Sequence, residues 1–182
     1  MTILSSADHQ IVIVQASTHA GAQENQPLRI LHVTPYSPEA WAYGGIPRLA
    51  GTLTSGLARR GHHVTLCTTD AGDASTRLSS KDPGRRRLQP WSFATPDGVD
   101  VRVFPNLSNR LAYRLQLFLP FGLDDYLRQH AANFDVAHLH ACRNAPGVIA
   151  ARRLGRAGAE SVRENCRERP ADRTRRDPPD WV

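Results

Sequence analysis

Residues 28–70 read "LRILHVTPYSPEAWAYGGIPRLAGTLTSGLARRGHHVTLCTTD", and their patterning sets the fold class. Residues 28–36 form a nearly continuous apolar run broken by a proline, which suits a central parallel strand covered on both faces. After the loop SPEAWAYGG, Ile46, Leu49, Ala50, Leu53 and Leu57 recur at helical spacing. Pro47 falls in the first turn, where its missing N–H costs nothing, and Gly61 marks the helix end. Residues 62–70 then read as a second strand. Strand, crossover helix and strand make a parallel unit.

Working outward, residues 1–27 are a polar leader with at most a short strand at 11–14. Downstream, 71–98 is polar and reads as an extended loop, and the alternating stretch 99–106 as a third strand. Ser108 is placed to cap a helix through about Phe118, interrupted at Pro120 and resumed over 123–132. Residues 134–141 give a fourth strand and 146–158 another helix with proline in its first turn. This alternation predicts an α/β fold, a Rossmann-like parallel sheet with flanking helices in strand order 3-2-1-4.

By the same logic a fifth strand should follow Gly158. Instead residues 159–182 carry six basic and six acidic side chains and no Leu, Ile, Phe or Met. They read as a disordered Arg-rich tail. Without a fifth strand, the sheet would keep an open edge beside the fourth.

The net charge is +6, and because the tail is balanced the excess belongs to residues 1–158. Basic surface suits phosphates or anionic lipid. Arg85, Arg86 and Arg87 form the one tight basic run, with no aromatic residues interleaved, so no nucleic-acid partner is expected. Three cysteines make no disulfide framework and fit a reducing compartment. The N-terminus has no basic n-region, and no apolar stretch approaches the roughly 20 residues of a spanning helix. The expected location is cytoplasmic, with peripheral contact at a membrane surface compatible with the charge.

Ligands of open α/β sheets bind at the carboxyl ends of the strands. There Gly44 and Gly45 precede a helix. Paired glycines let backbone approach a ligand closely and leave the helix N–H groups to an anion, or else they merely permit a tight turn. His138 and His140 alternate with Leu139 and so share a side of the strand. His140 should reach the cleft, while the deeper His138 should be a hydrogen-bonded core residue. His32 on the adjacent strand is placed to approach both. Together with Cys142 they invite a zinc reading, but no acidic or further histidine partner lies at ligand spacing, and no metal is expected. G-x-S-x-G, G-x-x-x-x-G-K-[ST] and D-x-D are all absent. Asp124 and Asp125 read as a solvated helix face.

In order, residues 28–70, "FDVAHLHACRN" (134–144) and "IAARRLGRAG" (149–158) resemble the N-terminal half of family-4 glycosyltransferases. These are retaining enzymes with two facing Rossmann-like domains, the B-type fold. The shared pattern is the Pro35/Pro38 turn, Gly44-Gly45 before the first helix, Gly61-His62-His63-Val64 opening the second strand, and Asp135 to His140. The domain would then span 28–158. The resemblance implies that the backbone at Gly44 and Gly45 approaches the diphosphate of a nucleotide-sugar donor. It implies that His140 sits beside the transferred sugar and positions or polarises the reacting centre. The N-terminal domain would mainly hold the acceptor, and the nucleotide-sugar is substrate, so no cofactor is expected.

In the family the donor is held chiefly by a C-terminal domain carrying E-x7-E. Glu160 and Glu168 have that spacing, but they lie in the polar tail with no second domain around them, so the match is coincidental. The expectation is a glycosyltransferase truncated or frameshifted after about Gly158, inactive alone and completed by a donor-domain chain. The alternative is a non-enzymatic Rossmann-like module that binds an anionic small ligand or a partner chain.

Overall fold

The computed structural model describes residues 12–15, 26–80, 84, 86–140 and 144–167. Six strands in one sheet and four α-helices account for most of them. The first strand, β1, is Val12–Gln15, and β2 is Arg29–Val33. Helix α1 (Gly45–Arg59) crosses to β3 (His63–Thr69). It ends where Gly61 N–H donates to the Ala58 carbonyl and His62 N–H to that of Leu57, a pairing that satisfies the last carbonyls. Strands β4 (Trp91–Ala94) and β5 (Asp100–Phe104) follow, then α2 (Asn109–Leu115) and α3 (Leu123–His130). Strand β6 (Val136–Leu139) and α4 (Ala145–Arg167) complete the described chain.

The sheet order is β1-β6-β2-β3-β5-β4. Its central four strands, β6, β2, β3 and β5, are all parallel and carry the expected 3-2-1-4 order. Both faces are packed. Leu31, Val33, Ala137 and Leu139 meet Leu123 and Leu127 of α3 and Ala150 and Leu154 of α4. In a second cluster Val64, Leu66, Val101 and Val103 meet Leu57 and Ala58 of α1. Alternate residues of one strand serve opposite faces, which is why β2 is apolar nearly throughout.

Three expectations need correction. The loop expected over 71–98 contains β4, which pairs antiparallel with β5 from Trp91↔Val103 to Ala94↔Asp100. The turn between them is closed by Thr95 N–H to the Val99 carbonyl, Gly98 N–H to the Thr95 carbonyl, and Val99 N–H to Thr95 Oγ1. Gly98 sits at φ +86, a left-handed conformation that costs other residues about 1–2 kcal/mol. The open edge beside the fourth strand is also absent, because β1 pairs antiparallel with β6 from Val12↔Leu139 to Gln15↔Val136. Part of the polar leader thus covers that edge. Finally, Asp124 is not merely solvated: Arg153 Nε donates to its Oδ1 at 2.6 Å, tying α3 to α4, while Asp125 pairs with Arg128 one turn on.

Helix bounds differ as well. Ser108 Oγ accepts from Leu111 N–H as expected of a cap, but α2 stops at Leu115 because Gln116 turns left-handed at φ 54. Helix α4 continues nine residues past Gly158 to Arg167. Ala, Glu and Arg favour helix strongly enough there to absorb the roughly 1 kcal/mol that an interior glycine costs. The disorder expected of the tail otherwise falls on 168–182, outside the described residues.

Candidate functional site

The site grows from the register of two neighbouring strands. His32 of β2 and His138 of β6 are direct register partners. His140 follows β6, held by its N–H donating to the Val33 carbonyl at 2.8 Å. Because alternate residues share a face, His138 and His140 project together and His32 meets both. Ring centroids are 4.1 Å apart for His138 and His140, 5.0 Å for His32 and His138, and 5.3 Å for His32 and His140. His32 Nδ1 and His140 Nε2 are 3.0 Å apart, one ring donating and the other accepting.

Burial governs the charge state. His32 is 1% exposed and His140 3% exposed, while His138 is half-buried. Loss of solvent lowers His32 to about 3, helped by the neighbouring His138 and His140 rings. His140 is lowered to about 3 by the same desolvation and by His138, and burial lowers His138 too. All three rings are neutral near pH 7 and keep one lone pair each. Two ring nitrogens, His32 Nε2 and His138 Nε2, are buried without a hydrogen-bond partner among the described residues.

The surroundings of the two strand histidines therefore differ from those expected. His138, expected to be hydrogen-bonded in the core, has an unpartnered Nε2. His140, expected to line the cleft, is buried against His32 instead. Register accounts for the clustering: pairing at His32↔His138 sets the three rings side by side on one face of the sheet. Cys142 lies outside the described residues.

Gly44 and Gly45 stand at the other carboxyl-end loop, at the start of α1. Gly44 is the N-cap at φ +82 and ψ −142, and no side chain caps the helix. Gly45 is the first helical residue, and a Cβ added to it would meet nothing within 4 Å. The fold therefore needs glycine at 44 but has no packing reason for it at 45. No hydrogen bond joins either glycine to His140 among the described residues.

A polar cluster that no sequence motif marks orders the same end of the sheet. Asp70, buried just past β3, accepts from Arg77 Nη1 at 2.9 Å on both oxygens and from Asn106 N–H at 2.7 Å. Arg77 also donates to the Asn106 carbonyl, and Leu119 N–H donates to Asn106 Oδ1. One carboxylate thus knits together the loops after β3 and β5. The available signal was an acid placed immediately after an apolar strand, in TTD (68–70). Nearby, Tyr36 donates to Gln116 Oε1 at 2.6 Å and stacks on Tyr43. A cavity of about 660 Å³ opens beside these loops, bounded by Glu39, Leu78, Ser79, Trp91 and Phe93.

A sequence model of Glycosyltransferase Family 4 matches residues 43–162. Among curated proteins and solved structures, none matches the chain. The matched span contains Gly44, Gly45 and His140 together.

Proposed function

The chain belongs to glycosyltransferase family 4, and on that premise we propose that it forms the acceptor-side half of a retaining glycosyl transfer. The sugar moves from a nucleotide-sugar donor to an acceptor. One observation carries the reading: the family match spans both the glycine turn and His140, which follow the neighbouring parallel strands β2 and β6 at their carboxyl ends. The backbone at Gly44 and Gly45 approaches the donor diphosphate, where an uncapped helix N-terminus favours negative charge. His140 is the neutral imidazole that positions the transferred sugar; in the chain alone it is buried against His32, so that contact requires the ring to turn out into the cleft. The cavity bounded by Glu39, Ser79 and Trp91 offers the acceptor both polar groups and an aromatic wall.

The donor nucleotide belongs to a second domain, in cis or in trans. Catalysis of this kind rests on holding donor and acceptor in attack geometry, which can supply about 7–11 kcal/mol of barrier reduction. One half alone holds only one of them. The 182-residue chain should therefore give no product from common nucleotide-sugar donors, and adding or fusing a family-4 donor domain should start turnover. His140→Ala should then remove most of kcat. Transfer by the chain alone, or turnover indifferent to His140→Ala, would count against the reading.

The burial of His140 favours a second reading, a non-enzymatic module that takes an anionic ligand at the glycine turn. Tight ligand binding with no transfer, even beside a donor domain, would select it. No helix among the described residues is long and apolar enough to cross a membrane. The proposed setting is cytoplasmic and peripheral, with exposed Leu111 and Leu115 beside Arg110 and Arg114 suited to an anionic lipid surface.

A further inference from the structure

We infer that residues 107–121 form a docking loop for an anionic lipid surface and turn the carboxyl end of the sheet toward it. The inference deepens the peripheral setting proposed above, naming the element that docks and the orientation it imposes. It holds whether or not the chain takes part in glycosyl transfer.

Three observations converge on the loop. The first is its composition. The sequence LSNRLAYRLQLFLPF contains two arginines and no acidic residue. More than half of the large apolar side chains exposed among the described residues fall here: Leu107, Leu111, Tyr113, Leu115, Leu117 and Phe121. Leu115 is the most exposed of them, at 67%. Single exposed apolar residues need no explanation, but a concentration of them in one segment marks an interaction surface.

The second is how the backbone displays them. Helix α2 ends at Gln116, the one non-glycine residue with positive φ among the described residues. In a continuing helix Leu115 and Leu117 would stand on nearly opposite faces, whereas the left-handed turn leaves both in solvent. Tyr36 holds that turn by donating to Gln116 Oε1, and beneath it Ala112 and Phe118 are buried against Tyr36. The base is closed by Leu107 N–H to the Leu119 carbonyl, Leu119 N–H to Asn106 Oδ1, and Phe121 N–H to the Pro105 carbonyl. The loop is thus ordered before it meets a partner, so docking loses little further chain entropy.

The third is charge. Arg110 and Arg114 are exposed between the apolar side chains, and neither has a hydrogen-bond or ion-pair partner among the described residues. That combination suits an anionic bilayer surface, where apolar groups sink toward the acyl chains and guanidinium groups meet phosphate. The loop follows β5 at its carboxyl end. A Cβ added at Gly122 would stand 2.8 Å from Pro90, which lines the large cavity. Docking therefore sets the cavity beside the lipid surface and leaves exposed His63, at the amino end of β3, on the far side.

The test uses the full chain with vesicles of phosphatidylcholine alone or mixed with phosphatidylglycerol. Co-sedimentation should show saturable binding to the anionic vesicles and little to the neutral ones. Arg110→Gln/Arg114→Gln should weaken it about 30-fold, from roughly fivefold per basic side chain. Leu115→Ser/Leu117→Ser should weaken it about tenfold or more, and because all four positions are exposed both variants should melt as the parent does. With Cys142 and Cys166 replaced by serine, a polarity-sensitive dye on Leu115→Cys should shift to the blue on binding. The same dye on His63→Cys should not. No binding to anionic vesicles, equal binding to neutral ones, or binding that both double variants leave intact would overturn the docking loop. Binding lost only in Arg85→Gln/Arg86→Gln/Arg87→Gln would overturn it equally. So would leucine-dependent association with a second copy or a family-4 donor domain in place of vesicle binding. No sugar transfer enters these readouts, so the docking loop and the transferase reading fail separately.

Discussion

Gly44 and Gly45 are adjacent and chemically identical, yet the backbone treats them differently. Gly44 lies at φ +82 and ψ −142, close to a region that glycine alone enters readily. Gly44→Ala should cost about 1–3 kcal/mol of unfolding free energy through that strain. Gly45 has helical geometry and open space around its missing Cβ. Gly45→Val should change stability by less than about 0.5 kcal/mol, as exposed substitutions do. It should still weaken nucleotide-sugar binding in the two-domain assembly, because a side chain there stands between the backbone and a diphosphate. Denaturant unfolding and a binding titration on the same variants separate the two effects. Equal losses of stability and affinity for Gly45→Val would show the turn to be structural only.

The carboxyl-end loops are ordered less by their own propensities than by one buried ion pair. Asp70 has a side chain only 4% exposed, and it is matched by Arg77 and by the Asn106 N–H. Burying two charges costs several kcal/mol, so the pair is weak evidence for stability as a whole. Removing Asp70 is another matter: the buried Asn106 N–H loses its acceptor, while Arg77 keeps a quarter of its side chain in solvent. Asp70→Ala should destabilise the fold by about 1–3 kcal/mol. The double variant Asp70→Ala/Arg77→Ala should recover part of that loss in a double-mutant cycle. Additive losses would mean that the two side chains act separately. Because the loop after β3 also lines the large cavity, the single variant should impair acceptor binding before it unfolds the sheet.

At the scale of the whole molecule, β1 decides how the sheet ends. It is four residues long and lies antiparallel on β6, opposite to the direction of the central strands. At the other edge β4 does the same for β5. Each antiparallel cover occupies ladder groups that would otherwise be a template for another chain. A chain beginning at residue 28 should therefore expose β6 and self-associate in a concentration-dependent way. Sedimentation velocity on 28–182 against the full chain measures this, together with amide exchange at Val136–Leu139. A monomeric shortened chain with unchanged protection would show that β1 contributes nothing.

The central sheet was legible in local pattern because its cause is local. The apolar run of β2, the helical spacing of α1 with proline in its first turn, and the alternating β5 each follow from the face that a residue must bury. The glycine turn and H-x-H were legible for the same reason. The β4 hairpin left a fainter mark, an alternation of four residues before Thr-Pro-Asp-Gly, easily lost in a polar stretch. What no local pattern contains is distance between segments far apart in the chain. Strand register fixes how closely His32, already expected beside them, meets His138 and His140, and it turns an expected cleft histidine into a member of a buried cluster. The same holds for Asp70, Arg77 and Asn106, and for β1 on β6. Pairing and burial depend on which strands become neighbours, and that is settled by packing the two faces of the sheet together.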